Sequence, residues 1–346
     1  MMRILCRRSA SQLVETISTE QLEAALTDTN AVIWLDLCQS SEGIKQTSEF
    51  LTRIFHFHPL AIEDALLETH LSRVDDWQKY LYVSFHALEY LDHHIQQKEL
   101  DIFVGPNFLV TIHFEPIEPL QKLWESVERS VDGRLTQTAD RLLYHLFDRI
   151  ATTSMQVVEC LDDALDALEQ DIFTKPRRTQ LSQLFLVRRT VLQLRRIFGS
   201  QRETMNRMAR DPFGMVHAEN RVYFRDIYDH LVRMHELSDG LRDMASGALE
   251  SHISMTSYRM NEVMKTLTIV TVLFMPLTFL TGYFGMNFFG EQFNVENPLS
   301  KSALFVVSMI LMLLTPVLML FWMRKRGWLQ SQLSSSASDK GTDTLP

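Results

Sequence analysis

Three groups of residues have types and spacings that could do chemistry. Asn261, Met264, Thr268, Thr271, Met275, Thr278 and Gly282 follow one another by three or four positions, so on a helix they share a face. Small and hydroxyl residues suit close packing between membrane helices. They equally suit a wet wall, with hydroxyls and backbone carbonyls facing water and methionines narrowing the passage. Gly285-Met286-Asn287 comes next, a neutral amide at the lip of an apolar segment. Such an amide can hydrogen-bond the water shell of an ion without stripping it. That suits Mg²⁺, which keeps several waters when bound, whereas a carboxylate ring would release the ion more slowly. The third group is acidic: Glu63-Asp64, and Asp226 with Asp229. Each could hold a cation, although a surface carboxylate is usually only solvated.

Other clusters carry less. Glu159, Asp162, Asp163, Asp166, Glu169 and Asp171 read first as the wet face of a helix. His56 and His58 stand near a helix end and His93-His94 in a loop, so the histidines make no metal site. No phosphate-binding glycine loop, nucleophile motif or zinc spacing is present, which leaves an ATP-driven pump or an enzyme without support.

The elements that must position these residues are apolar. Leu267 to Phe284 is a run of eighteen residues without a charge, and Ala303 to Met323 a run of twenty-one. At ~1.5 Å per residue each crosses a hydrocarbon core of about 30 Å, the first only just. Arg259 and Lys265 precede the first run, Arg324, Lys325 and Arg326 follow the second, and Lys301 is the only basic residue between them. The positive-inside rule then puts both termini in the cytoplasm of a cell-membrane protein and residues 285–302 outside. Arg3, Arg7 and Arg8 precede no apolar stretch long enough for a signal peptide. Two spans cannot enclose a channel, so a pore requires several subunits, each giving its first span.

The 346 residues, 46% hydrophobic, suffice for a soluble part plus a membrane part. A net charge of −9 argues against a nucleic-acid surface and favours cations as partners. Cys6, Cys38 and Cys160 are odd in number and scattered, which reads as reduced thiols. Along the chain, Ala31 to Leu35 reads as a buried strand, Ser41 to Phe57 as a helix and Tyr80 to Leu88 as a strand. Leu100–Val104 and Phe108–Phe114 flank Gly105-Pro106-Asn107 as a hairpin. From Asp140 the pattern turns to long helices, broken at Thr174-Lys175-Pro176. No proline interrupts Phe213 to Met275, so 213–284 reads as one helix.

The fold class is therefore α+β. It comprises an α/β domain (1–135), paired long helices (136–211) and a stalk continuing into the first span (212–284). An outer loop (285–302), a second span (303–323) and a basic end with a disordered tail (324–346) complete it.

Several blocks together resemble the CorA-type magnesium transporter family. They are Phe57-His58-Pro59-Leu60-Ala61-Ile62-Glu63-Asp64 and Tyr223-Phe224-Arg225-Asp226-Ile227-Tyr228-Asp229-His230. Met260 to Thr268, Phe274-Met275-Pro276-Leu277-Thr278-Phe279 and Gly285-Met286-Asn287 follow. The likeness runs in order from about residue 30 to Arg326, and its last three blocks are highly specific. It implies a funnel-shaped homopentamer in the bilayer, with Mg²⁺ both transported and regulatory and no organic cofactor. It implies that Asn287 is the outer selectivity residue, supported by Gly285 and Met286, and that the stripe from Asn261 to Gly282 lines the ion path. Asp64 and Asp226 match family positions of an inter-subunit divalent-ion sensor, with Glu63 beside them. Two departures are visible: Phe284 stands where the family usually has Tyr, and Glu291 and Glu296 replace the usual outer-loop segment as its carboxylates for attracting cations. The implied function is gated, passive Mg²⁺ uptake, with Co²⁺ or Ni²⁺ as further permeants. Its rivals are the zinc-transporting branch of the same superfamily and a non-conducting two-span membrane sensor.

Overall fold

Strand alternation sorts the apolar residues of the N-terminal part into two layers. In a computed structural model the described residues are 2–7, 14–39, 43–67, 71–91, 94–129, 138–174, 177–285 and 298–326. Seven strands are β1 (Met2–Arg7), β2 (Val14–Thr16), β3 (Val32–Cys38), β4 (Arg73–Asp76), β5 (Leu81–Leu91), β6 (His94–Val104) and β7 (Phe108–His113). They form one sheet in the order β2-β1-β3-β7-β6-β5-β4, with only the β3–β7 pair parallel. Ile33, Leu35 and Leu37 of β3 join the core on one face, while Val32 and Trp34 join the other. That split follows from the two-residue period of a strand.

The first face is covered by helices α1 (Thr19–Leu26), α2 (Ile44–Phe55) and α3 (Pro59–Leu66). Here Phe57 stacks on Phe103, with ring centroids 4.2 Å apart, and on Phe55 at 5.2 Å. The opposite face is covered by α4 (Glu118–Arg129), α5 (Ala139–Thr174) and α6 (Arg178–Arg210), and the start of α7 (Arg221–Gly285) joins the same core. The β6–β7 hairpin closes through Gly105, whose N–H donates to the Phe108 carbonyl at 2.9 Å. A Cβ at Gly105 would overlap the Phe108 ring, so only glycine fits there. The helix break after Thr174 falls as the proline suggests, α6 beginning at Arg178.

Two sequence expectations change. His94 opens β6 instead of sitting in a loop, because the β5–β6 ladder extends to the pair Leu91↔His94. The long helix also starts later than residue 213, at Arg221, after a short 3-10 turn at Ala218–Asn220. The cause is Asp140. Its buried carboxylate accepts from the His217 N–H at 2.8 Å, the Asn220 amide at 2.9 Å and the His217 ring at 3.1 Å. Those bonds hold 217–220 in a cap, and Phe213 and Val216 just before it are buried.

The chain divides into two compact units, Met1–Ile253 and Ser254–Pro346. The second contains the last part of α7 and helix α8 (Pro298–Lys325). Among the described residues, α7 and α8 are the helices long and apolar enough to cross a membrane.

Candidate divalent-cation pathway and sensor site

Local sequence explains how α3 presents its acidic pair. His58 is extended and caps the helix, its Nδ1 accepting from the Leu60 N–H at 3.2 Å. Pro59 fills the first helical position, where its missing N–H costs nothing. The His58 N–H donates to the Tyr80 hydroxyl at 2.8 Å, and its ring stacks on Trp77. Phe57, Ala61 and Ile62 are buried. Helical geometry then turns Glu63 outward, exposed, and leaves Asp64 half-exposed.

Asp64 is not alone. Arg73 on β4 places Nη2 at 2.6 Å from Asp64 Oδ2 and Nε at 3.4 Å from Asp75 Oδ2. The same guanidinium lies 5.4 Å from the centre of the Tyr82 ring. Burial opposes its charge, but Tyr82, Asp64 and Asp75 outweigh burial and hold it above the ordinary arginine value. Nothing in the spacing pairs residue 64 with residue 73, so this partner is invisible in the sequence.

Asp226 sits in the second turn of α7. Phe224 and Ile227 on either side of it are fully buried, and Asp226 itself is exposed. Arg141 lies 3.4 Å over the Tyr223 ring, and Tyr144 packs beside that ring at 5.1 Å. The Tyr144 hydroxyl is pushed up first by burial and then by the charges of Asp148 and Asp226. Asp148 is thus a second carboxylate on this face that periodicity alone did not single out. Among the described residues of one chain, no group of three or more His, Cys, Asp or Glu could hold a metal ion. Asp64 and Asp226 therefore make a closed metal site only if another subunit completes it.

On α7 the stripe residues Asn261, Met264, Thr268, Thr271, Met275, Thr278 and Gly282 are all exposed in the single chain. The hydroxyls of Thr268, Thr271 and Thr278 donate to the carbonyls four residues earlier, at 2.8, 2.9 and 2.9 Å. A carbonyl can only accept, so each hydroxyl proton is spent on the helix and only oxygen lone pairs face outward. Thr315 of α8 makes the same bond, so it follows from helical backbone geometry; the gathering of three such acceptors on one stripe belongs to α7. Pro276 also lacks an N–H, which leaves the Val272 carbonyl without its helical donor. Gly285 ends α7 and is exposed. Met286, Asn287, Glu291 and Glu296 lie outside the described residues.

Comparison with known proteins bears on the family and the fold. Residues 29–325 match the family model described as CorA-like Mg²⁺ transporter protein. YfjQ of Bacillus subtilis (strain 168), provisionally named a metal ion transporter, is 31% identical over 95% of this chain and 98% of its own. The cobalt/magnesium transport protein CorA of Thermotoga maritima is 27% identical over 87% of this chain and 85% of its own. In fold, the complete CorA magnesium transporter of Methanocaldococcus jannaschii superposes with a TM-score of 0.78 at 21% identity. That match covers 94% of this chain and 98% of the other. With a match running from residue 29 to residue 325, the chain belongs to the CorA-like Mg²⁺ transporter family, membrane proteins that move divalent metal ions and are not enzymes.

Proposed function

We propose that the chain is one protomer of a homopentameric, passive Mg²⁺ channel that intracellular Mg²⁺ closes. The observation that supports this most is the α7 stripe, whose threonine hydroxyls spend their protons on the helix and offer only acceptors. A hydrated cation presents water hydrogens outward, so a wall of acceptors solvates it in its shell, whereas a wall of donors would repel it. Packing alone would need small residues, yet Met264 and Met275 share the stripe. Five copies of the stripe around an axis make the path, and a ring of Asn287 amides, backed by Gly285 and Met286, makes its outer filter. Glu291 and Glu296 raise the local cation concentration there. Co²⁺ and Ni²⁺, of similar charge and size, are further permeants.

Gating follows from the acidic pair. Abundant internal Mg²⁺ bridges Asp64, assisted by Glu63, to Asp226 of the neighbouring subunit and holds the closed ring together. When Mg²⁺ is scarce the carboxylates repel: two unit charges 4 Å apart are worth about 4 kcal/mol at an effective dielectric near 20, before screening. Repeated at five interfaces, that suffices to bias a two-state gate. Asp226 and the stripe belong to one helix, α7. Mg²⁺ uptake into liposomes preloaded with different internal Mg²⁺ concentrations tests this. Asp226→Ala should keep conducting at internal Mg²⁺ that silences the parent; equal inhibition of both proteins would refute the sensor.

A further inference from the structure

The carboxylate given the sensor role already has a cation. Arg73 Nη2 lies 2.6 Å from Asp64 Oδ2, and the side chains of Arg73 and Asp64 are 36% and 40% exposed. The pair therefore sits at the edge of the domain, its side chains part-exposed although the Arg73 Nη2 and Nε atoms are themselves covered. Arg73 is also not committed to Asp64. Its Nε faces Asp75 at 3.4 Å and its guanidinium lies against the Tyr82 ring, and the Tyr82 hydroxyl donates to Asp101 at 2.6 Å. If Asp64 turns away, the guanidinium keeps a carboxylate and an aromatic surface. It has somewhere to go.

We infer that Arg73 is a tethered competitor for Asp64, which a divalent ion must displace and which thereby sets the internal concentration that closes the channel. The inference rests on the sensor role of Asp64 proposed above. Its physical basis is the exclusive use of one carboxylate. An oxygen ion-paired with Arg73 is less available to a hydrated Mg²⁺, and the guanidinium charge repels the incoming ion. Unlike an ion from solution, the competitor is always present, at a fixed effective concentration set by the strand that carries it. Arg73, shared with Asp75, therefore offsets part of the Asp64 charge at low Mg²⁺, so the carboxylate repulsion that opens the gate is weakened without being abolished. An arginine suits this role because its charge persists at any cellular pH and its fork can hold Asp64 and Asp75 together.

An exposed ion pair is worth up to about 1 kcal/mol, or roughly two- to five-fold in a competing equilibrium. Arg73→Gln, which keeps length and amide donors but removes the charge, should lower the internal Mg²⁺ for half-inhibition of flux by about that factor. Arg73→Lys, which keeps the charge, should stay near the parent. The same ordering should hold for the Mg²⁺ concentration that half-saturates thermal stabilisation of the full-length protein in detergent, a readout that needs no conduction. An unchanged or raised half-point in Arg73→Gln overturns the inference. Asp64→Asn separates the inference from the reading beneath it. If Asp64→Asn leaves the Mg²⁺ response intact, the sensor role fails. If Asp64→Asn abolishes the high-affinity response but Arg73→Gln shifts the residual response as much in that background as in the parent, the sensor stands and the competitor fails. The expected result is no additional shift in the double variant.

Discussion

Two buried aspartates of the sheet are shifted in opposite directions. Asp36 is 2% exposed. Burial pushes its pKa up, but His113, then Thr111 at 2.6 Å and Arg3 at 2.7 Å, outweigh burial and hold it below the ordinary carboxylate value. Its charge stabilises the fold above the unfolded pKa, and that contribution is lost as pH falls through the folded value. Asp36→Asn should cost about 3 kcal/mol at pH 7 by leaving Arg3 without its carboxylate. Thermal melts of the variant and parent should converge as the pH is lowered. Asp101 behaves oppositely, since burial first and Glu99 next push it well above the ordinary value despite the Tyr82 bond. Between its two pKa values the folded state binds more protons than the unfolded state, so its contribution falls as pH rises. Asp101→Asn should therefore raise the melting temperature at pH 7, with the gain gone below about pH 4; a lower melting temperature at pH 7 would contradict the assignment. At this scale the sequence was only partly readable. The acidic pair of α3 stood out because Phe57 to Asp64 is a continuous block, whereas Arg73 joins Asp64 across two elements and leaves no local trace.

Element boundaries depend on caps, and caps vary in how far away their partners lie. The start of α3 carries a local signal that the sequence reading passed over, because His58 and Pro59 adjoin the helix that they begin. Replacing His58 with Ala should cost about 1 kcal/mol by removing the cap on the Leu60 N–H, read from denaturation midpoints. The β6–β7 hairpin was legible from Gly105-Pro106-Asn107. The start of α7 was not, because its capping carboxylate is Asp140, 77 residues away from His217 in the chain. Hydrophobic spacing runs through 213–221 without marking a stop, and only the folded chain brings Asp140 to it. Asp140 is held below the ordinary carboxylate value: burial raises it, and bonds from Thr138, Asn220 and His217 outweigh burial. Asp140→Ala removes the acceptor for four donors, the Thr138 hydroxyl, the Asn220 amide and the N–H and ring of His217, and should destabilise the protein by roughly 2–3 kcal/mol at neutral pH. Hydrogen exchange at the first turn of α7 should speed up with it, whereas exchange unchanged in that turn would show that the cap does not hold the helix start.

The whole molecule was legible in outline because membrane spans are long and their flanking charges asymmetric, both plain in a linear chain. Assembly was not, since one chain shows only an exposed stripe, an exposed Asp226 and a half-exposed Asp64. The roles proposed for the stripe, the acidic pair and Arg73 all require a ring. Native mass spectrometry should accordingly find five copies of the 40.3 kDa chain. A monomer or dimer as the conducting species would remove the axis around which the stripe is placed. Membership of a metal-transporting family overturns the non-conducting two-span sensor, so the competing account is a zinc carrier, which parts from a magnesium channel in its ion order. The most direct test is flux of Mg²⁺, Co²⁺ and Zn²⁺ into liposomes carrying the parent or Asn287→Ala. The channel account predicts Mg²⁺ flux in the parent and at least a tenfold loss of Mg²⁺ flux or of its preference over Zn²⁺ in the variant, about 1.4 kcal/mol at the filter. No flux in the parent, or the same flux and ion order in both proteins, would contradict it.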